Sequence, residues 1–402
     1  MLDLEFVRAR FPALTTDWAL LDNAGGSVPL GSVADSVGDY MRQCMVQLGA
    51  SYDLSVEAST RVAAGHRAAE ELLGADEGEV VLGPSSTMLA RTIARGLRPL
   101  WNEGDAVVVT DLDHETNIGA WRELEATGIE VREWPFDPGT QRLELLGLEP
   151  LLDDRTRLVA FSHCSNIFGT IHDVETIAAR VRAAGALSCV DGVAFAPHRR
   201  VDVKALGVDL YLASLYKVYG PHVGALYGRA DLLLQARSQN HFFVPEDAVP
   251  YKFEPGNVNH ELVASLPAIP AYLKDLDRHH GGEGTLAGAF ERIADHEAAL
   301  SELLLAFLAD HPRTRIVGSP DADPAERAPT ISFTVEGLPS SAIPPLVDED
   351  RVAVRYGHFY AHRLIDRLGL MERDGVVRAS LLHYNSVEEV ARLVDGLDRV
   401  LA

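Results

Sequence analysis

Cysteine is scarce: Cys44, Cys164 and Cys189 are the only three in 402 residues. An odd count with no CxxC spacing gives neither a disulfide framework nor a zinc pattern. It fits a reducing compartment, so a cytoplasmic protein is expected. Long apolar runs are missing too, and none could span a bilayer. The opening "MLDLEFVRARFPALTT" mixes acids and arginines into its apolar residues, unlike a secretory leader. Positive charge is in deficit: 36 Lys and Arg against 59 Asp and Glu leave a net charge of −23. Such a surface repels nucleic-acid phosphate and anionic lipid, so neither partner is expected. There is no internal repeat and no low-complexity tract. The glycines of "HHGGEGTLAG" follow no strand, which disfavours a dinucleotide-binding dehydrogenase. His279 and His280 have no ligand set nearby, so no metal is expected.

What is present is ordinary for a soluble globular chain, with 47% hydrophobic and 24% charged residues. From about residue 55 to 230, short β-rich runs alternate with helical patterns. "EVVLG" leads into "STMLARTIARGL", "DAVVVTDLDH" into "ETNIGAWRELEATG", and "TRLVAFSHCSN" is followed by "DVETIAARVRAAG". "ALSCVDG" and "DLYLASLYK" come next. This alternation predicts an α/β domain with a mostly parallel sheet. After residue 260 the pattern changes to a smaller α+β domain. It has one long amphipathic helix over 285–311, strands in "PTISFTVEGL" and "RVAVRYG", and a terminal helix capped by Ser386 with Glu389 in the capping-box position. The expected division is 1–16 as a segment packing on the small domain, 17–262 as the large domain and 263–402 as the small one. The proline-rich stretch 318–329 reads as a floppy connection.

The polar residues fall at the ends of the predicted strands. Ser85, Ser86 and Thr87 follow the first and open a helix. His114, Asn166 and Asp191 end the next three, and Ser214 and Lys217 the last. Ligands of open α/β sheets bind outside the carboxyl ends of the strands, so one crevice would collect all of them. "GPSST" at a helix start offers N–H groups and hydroxyls to a phosphate, or is a plain N-cap. Asp191 suits a protonated ring nitrogen, and a desolvated Lys217 suits a Schiff base. Phosphate, pyridinium and aldehyde together describe pyridoxal 5'-phosphate, PLP.

With those residues in place, the chain resembles the class V aminotransferases of PLP fold type I, in their cysteine desulfurase-like branch. "LLDNAGGSVPL", "HETNIGAW", "SNIFGTIHDV", "VDGVAFAPH", "SLYKVYGPHVGALYG", "FEPGNVN", "VRYGHFYAHRL" and "VRASLLHYNSVEEV" carry the resemblance in order along nearly the whole chain. It implies a ring-stacking role for His114, a cofactor contact for Asn166, the pyridine partner in Asp191 and the Schiff base at Lys217. Tyr216 stands where the family has a phosphate-contacting histidine. Asn257 stands where a threonine reaches the phosphate of the neighbouring subunit, so a homodimer with shared sites is implied. Substrate contacts are expected from Asn23, Arg355, His358, Tyr360 and Arg378, with Arg378 holding the α-carboxylate of an amino acid.

The departures bear on the reaction. Desulfurases of this branch carry an attacking cysteine after Gly-His-His; here Gly357-His358-Phe359-Tyr360 puts a tyrosine there. Ala194 replaces the family's cofactor-contacting glutamine. The first expectation is therefore a carbon–sulfur β-lyase acting on cysteine or an S-substituted cysteine. The alternatives are a desulfurase using another thiol, an aminotransferase or epimerase, and, from a different class, a non-catalytic PLP-fold scaffold or sensor. Tyr360 reads as acid, wall or filler. Cys164 reads as a buried structural thiol.

Overall fold

The computed structural model describes residues 1–401. Thirteen strands form in chain order. They are β1 Ala19–Leu20, β2 Val80–Gly83, β3 Ala106–Thr110, β4 Glu130–Trp134, β5 Thr156–Ser162, β6 Leu187–Asp191, β7 Leu210–Ser214, β8 Gly224–Gly228, β9 Thr314–Val317, β10 Thr330–Val335, β11 Val352–Ala353, β12 Arg355–Gly357 and β13 Val376–Ser380. Seven of them make the large sheet, in the order β2-β8-β7-β6-β5-β3-β4. Only β8 runs against the rest, being antiparallel to both β7 and β2. Helices cover both faces, so the central strands are apolar throughout rather than alternating with polar residues. Within β5, Leu158 and Ala160 join one buried cluster while Val159 and Phe161 join the other, as the period of two requires.

The parallel arrangement puts the carboxyl ends of β2, β3, β5, β6 and β7 on one edge. Ser85 caps the helix Ser86–Leu97 directly after β2, its Oγ accepting from Met88 N at 3.2 Å. The start of β8 passes so close to this turn that a Cβ on Gly224 would lie 2.4 Å from the Ser85 carbonyl carbon. Glycine there lets the sheet and the helix N-terminus meet.

The small domain is the antiparallel sheet β12-β13-β10-β9 backed by the helices Leu286–Asp310 and Val387–Leu401. The predicted capping box is present: Ser386 Oγ accepts from Glu389 N, and Ser386 N donates to Glu389 Oε2. The long helix enters two cores. Leu286, Phe290 and Ile293 face the large one, and Leu300, Leu304 and Leu308 the small one.

Three expectations change. Residues 19–22 belong with the small domain, because β1 pairs with β11 and Asp22 bridges to Ser380. The helix Ala268–His279 lies beyond the expected boundary but packs on the large-domain helices Gly31–Gln43 and Asp53–Leu73. The stretch 318–329 is tied down rather than floppy. Arg327 is buried and donates to the carbonyls of Ser319, Ala328 and Thr330, and Arg199 reaches Pro324 O. The N-terminal segment touches both parts: Val7, Phe11 and Leu14 join the large core cluster, while Arg8 bonds Tyr384 O and Glu389.

Candidate active site

The strand ends enclose one cavity. Ser85, Ser86 and Thr87 line it from the helix start, and His114 and Thr116 from the loop after β3. Ser162, Cys164 and Asn166 follow β5, and Asp191, Val193 and Ala194 follow β6. Tyr216 and Lys217 close it after β7.

Lys217 ends a single helical turn, Leu215–Lys217, and is 8% exposed. The chain has four lysines. Lys204 is paired with Asp76 and Glu79, and Lys274 with Glu71. Lys252 donates to the carbonyls of Leu234 and Glu246. Of these four lysines, all among the described residues, only Lys217 has an ammonium with neither a hydrogen bond nor an ion pair. Its ammonium lies 6.0 Å from the centre of the Tyr216 ring, so one aromatic wall of the cavity is set by its neighbour in sequence. Burial, helped by the Arg378 charge, lowers its pKa to about 8; Asp191 and Asp22 oppose the shift. A buried amine neutral near pH 8 is a nucleophile.

Asp191 ends β6 and is buried. Its Oδ1 accepts from Val193 N at 2.9 Å, and its other oxygen accepts nothing among the described residues. Burial raises its pKa; the Val193 bond and Lys217 work the other way. A desolvated carboxyl facing a cavity is poised to take a cation. Beneath it lies a second buried carboxyl, Asp113, pushed up to about 7 by burial. Asp113 accepts from Asn117 Nδ2 and Ser162 N. The Ser162 hydroxyl is buried without a partner.

Ser214 Oγ donates to Ser86 Oγ at 3.0 Å, so Ser214 stands behind the helix start rather than on the cavity wall. His114 is driven down to about 3 by burial and by the Lys217 and Arg378 charges. It is therefore a neutral ring, with Nδ1 accepting from Thr116 N. Such a ring stacks on an aromatic without the cost of a buried charge. Cys164 is buried, and burial pushes its thiol up to about 12; it is no thiolate at neutral pH.

The remaining predicted residues separate. Arg355, His358 and Tyr360 sit on the cavity's rim, lining the neighbouring clefts. Tyr360 is 66% exposed, with its ring 5.1 Å from that of His114. Phe359 and Tyr360 both have positive φ, 46° and 62°. Each costs roughly 1–2 kcal/mol for a non-glycine residue. Asn166 Nδ2 to Phe359 O and Glu115 N to Tyr360 O, both 2.9 Å, hold the turn. Arg378, on β13, is 2% exposed. It donates to Asp22 Oδ1 and Asn166 O, while its Nε is buried without a partner.

Besides Ser214, one assignment changes. Asn23 is committed to the interior: its amide nitrogen serves Leu20 O, Ser380 O and Asn385 Oδ1, and its oxygen accepts from Tyr384. It joins chain segments and presents nothing to the cavity. Asn257, expected to serve the site of a neighbouring subunit, has φ of 72° on the exposed surface and does not line the cavity of its own chain. The sequence reading missed Asp22, Asp113, Ser162 and Phe359. For Asp22 no local signal exists, because both of its arginine partners come from distant strands.

The cavity fits PLP on these observations. An N-capped helix start with two hydroxyls suits a phosphate. A half-bonded buried carboxyl suits a ring nitrogen, and an unpartnered, desolvated lysine suits an aldehyde.

Comparison with known proteins points the same way. The family described as aminotransferase class-V matches residues 19–393. An "Aminotransferase-like protein FGM3" of Gibberella zeae is 39% identical over 99% of this chain and 98% of its own. A "Cysteine desulfurase-like protein ustD" of Aspergillus flavus is 34% identical over 100% of this chain and 91% of its own. The solved cysteine desulfurase of Thermococcus onnurineus superposes with a TM-score of 0.88 at 25% identity, covering 99% of this chain and 98% of that one.

Proposed function

The chain belongs to the class-V aminotransferase family, whose members are PLP-dependent enzymes, and from that premise we propose a carbon–sulfur β-lyase. Its substrate would be cysteine or an S-substituted cysteine. With L-cysteine the balanced reaction consumes one water and yields pyruvate, ammonia and hydrogen sulfide. One observation carries the choice of elimination over sulfur transfer: no thiol stands on the rim turn, and the one thiol that lines the cavity, Cys164, is held protonated by burial. The rim turn carries Phe359 and Tyr360, and all three cysteines are buried.

Bound PLP supplies an aldehyde for the substrate amine and a protonated ring that draws electron density from the α-carbon. Ser85 and Ser86, with the helix N-terminus, would hold the phosphate. Asp191 would hold the proton on the ring nitrogen, and the neutral His114 would cover the ring face. Lys217, freed of its proton at Nζ near pH 8, would bind the aldehyde and then carry the α-proton of the substrate. Arg378 would fix the carboxylate through its unpartnered Nε edge. Ala194, where the family has glutamine, leaves the cofactor oxygen one contact fewer from this loop.

We also infer a homodimer. The exposed Phe242 and Phe243 and the exposed Asn257 turn belong to one surface loop region, which a second copy would cover. Product analysis tests the reaction. The loaded protein with L-cysteine is expected to give pyruvate, ammonia and sulfide in equal amounts. Alanine with sulfane sulfur would overturn elimination.

A further inference from the structure

Arg355 and Arg378 stand directly opposite each other in the antiparallel register of β12 and β13. Like charges in that position repel, and folds avoid it unless an anion lies between. Here one carboxylate does. Asp22 takes Arg378 Nη2 on Oδ1 at 3.1 Å and Arg355 Nε on Oδ2 at 3.1 Å. The Phe359 ring lies against both guanidiniums, 3.7 Å from Arg378 Cζ and 5.4 Å from Arg355 Cζ. Two positive charges therefore share one negative charge and one aromatic face, leaving one positive charge unbalanced. Arg378 Nε is buried with no acceptor, so the cluster lacks one acceptor as well as one charge. The Arg355 side chain is 57% exposed. Among the described residues Asp22 is its only ion-pair partner; without it the long side chain is free to leave for water. Asp22 itself is fixed, because its backbone bridges to Ser380 at the end of β13.

We propose that Asp22 is a positioning residue: with the Phe359 ring as platform, it tethers Arg355 beside Arg378 so that the two guanidiniums receive one ligand carboxylate. The inference rests on the reading of this cavity as an amino-acid site. Asp22 touches neither ligand nor cofactor in this role. Its effect passes through Arg355, which predicts a specific pattern of non-additivity.

The test uses binding rather than turnover. The visible absorbance of the PLP-loaded protein is titrated with glycine and with glycinamide, which has the amine but no carboxylate. Wild type is expected to prefer glycine. Asp22→Asn, which keeps the shape, should lose about fivefold of that preference, the scale of one partly screened ion pair. Arg355→Ala should lose as much, and the double variant no more than either alone. Asp22→Glu should restore part of the preference. Phe359→Leu, close in volume but without the ring face, should lose less than Asp22→Asn, and serves as the second probe if Asp22→Asn folds poorly. An Asp22→Asn protein with undiminished preference, or losses that multiply in the double variant, overturns the proposal. If neither amine moves the wild-type absorbance, the amino-acid reading falls and the proposal with it.

Discussion

On the cavity floor, each chemical group sits at or next to the end of a buried strand, while on the rim the groups sit on an exposed turn with left-handed backbone. Asp191 ends β6, and Lys217 follows the end of β7 by three residues; both are buried. Arg355 is exposed at the start of the edge strand β12, and His358 and Tyr360 are exposed on the turn that follows it, held by two hydrogen bonds. A sheet edge gives fixed positions, which suit chemistry that must be repeated unchanged. A rim turn can be altered without disturbing the sheet, which suits choice of substrate and reaction. The floor keeps the lysine and carboxylate of the family at Lys217 and Asp191 but differs from it at Ala194 and Tyr216, and the rim differs at Tyr360, where the desulfurases carry their cysteine.

Substitutions on the floor should therefore cost far more than substitutions on the rim. Lys217→Ala should abolish the protein's colour with PLP and lower turnover by about 10³-fold or more, read by absorbance and initial rate. Capture of PLP by the cofactor-free protein should slow about tenfold per pH unit below 8, because only the neutral amine attacks and burial holds the Lys217 pKa near 8. A rate still climbing towards pH 10 would mean an ordinary exposed lysine. Asp191→Asn should cost about 100-fold in turnover while leaving PLP bound, seen by comparing rate with cofactor content. On the rim, Tyr360→Phe should change turnover less than about threefold; a loss of the floor's size would make the phenol a catalytic group and erase the contrast. Far from both, Ser386→Ala should lower unfolding stability by about 1 kcal/mol through its lost cap and leave activity unchanged, as read by denaturant titration and assay.

The same contrast explains what could be read in advance. A parallel strand buried on both faces is an apolar run, and the first polar residue after it marks the sheet's edge. This made Ser85, Asp191 and Lys217 visible without coordinates. The terminal helix was visible through its capping box. β8, "GALYG", was hidden by glycines that give little strand signal, and β4, "EVREW", by the charges of an edge strand. Asp22 was hidden for another reason. Its two partners lie more than 300 residues away, and the register that places them opposite each other is not set by any local pattern. Asn23, next to it, looked like a cavity residue by its place in the motif, but its amide is satisfied within the core. Position in a motif gave the neighbourhood, and hydrogen-bond partners decided the role.

The decisive expectation is that Lys217, alone of the four lysines, carries the cofactor. It is tested by reducing the PLP-loaded protein with borohydride and mapping the modified peptide by mass spectrometry. A single pyridoxyl label on Lys217 is expected. Labelling of Lys204, Lys252 or Lys274 instead, or no label on a protein that holds PLP, would contradict it.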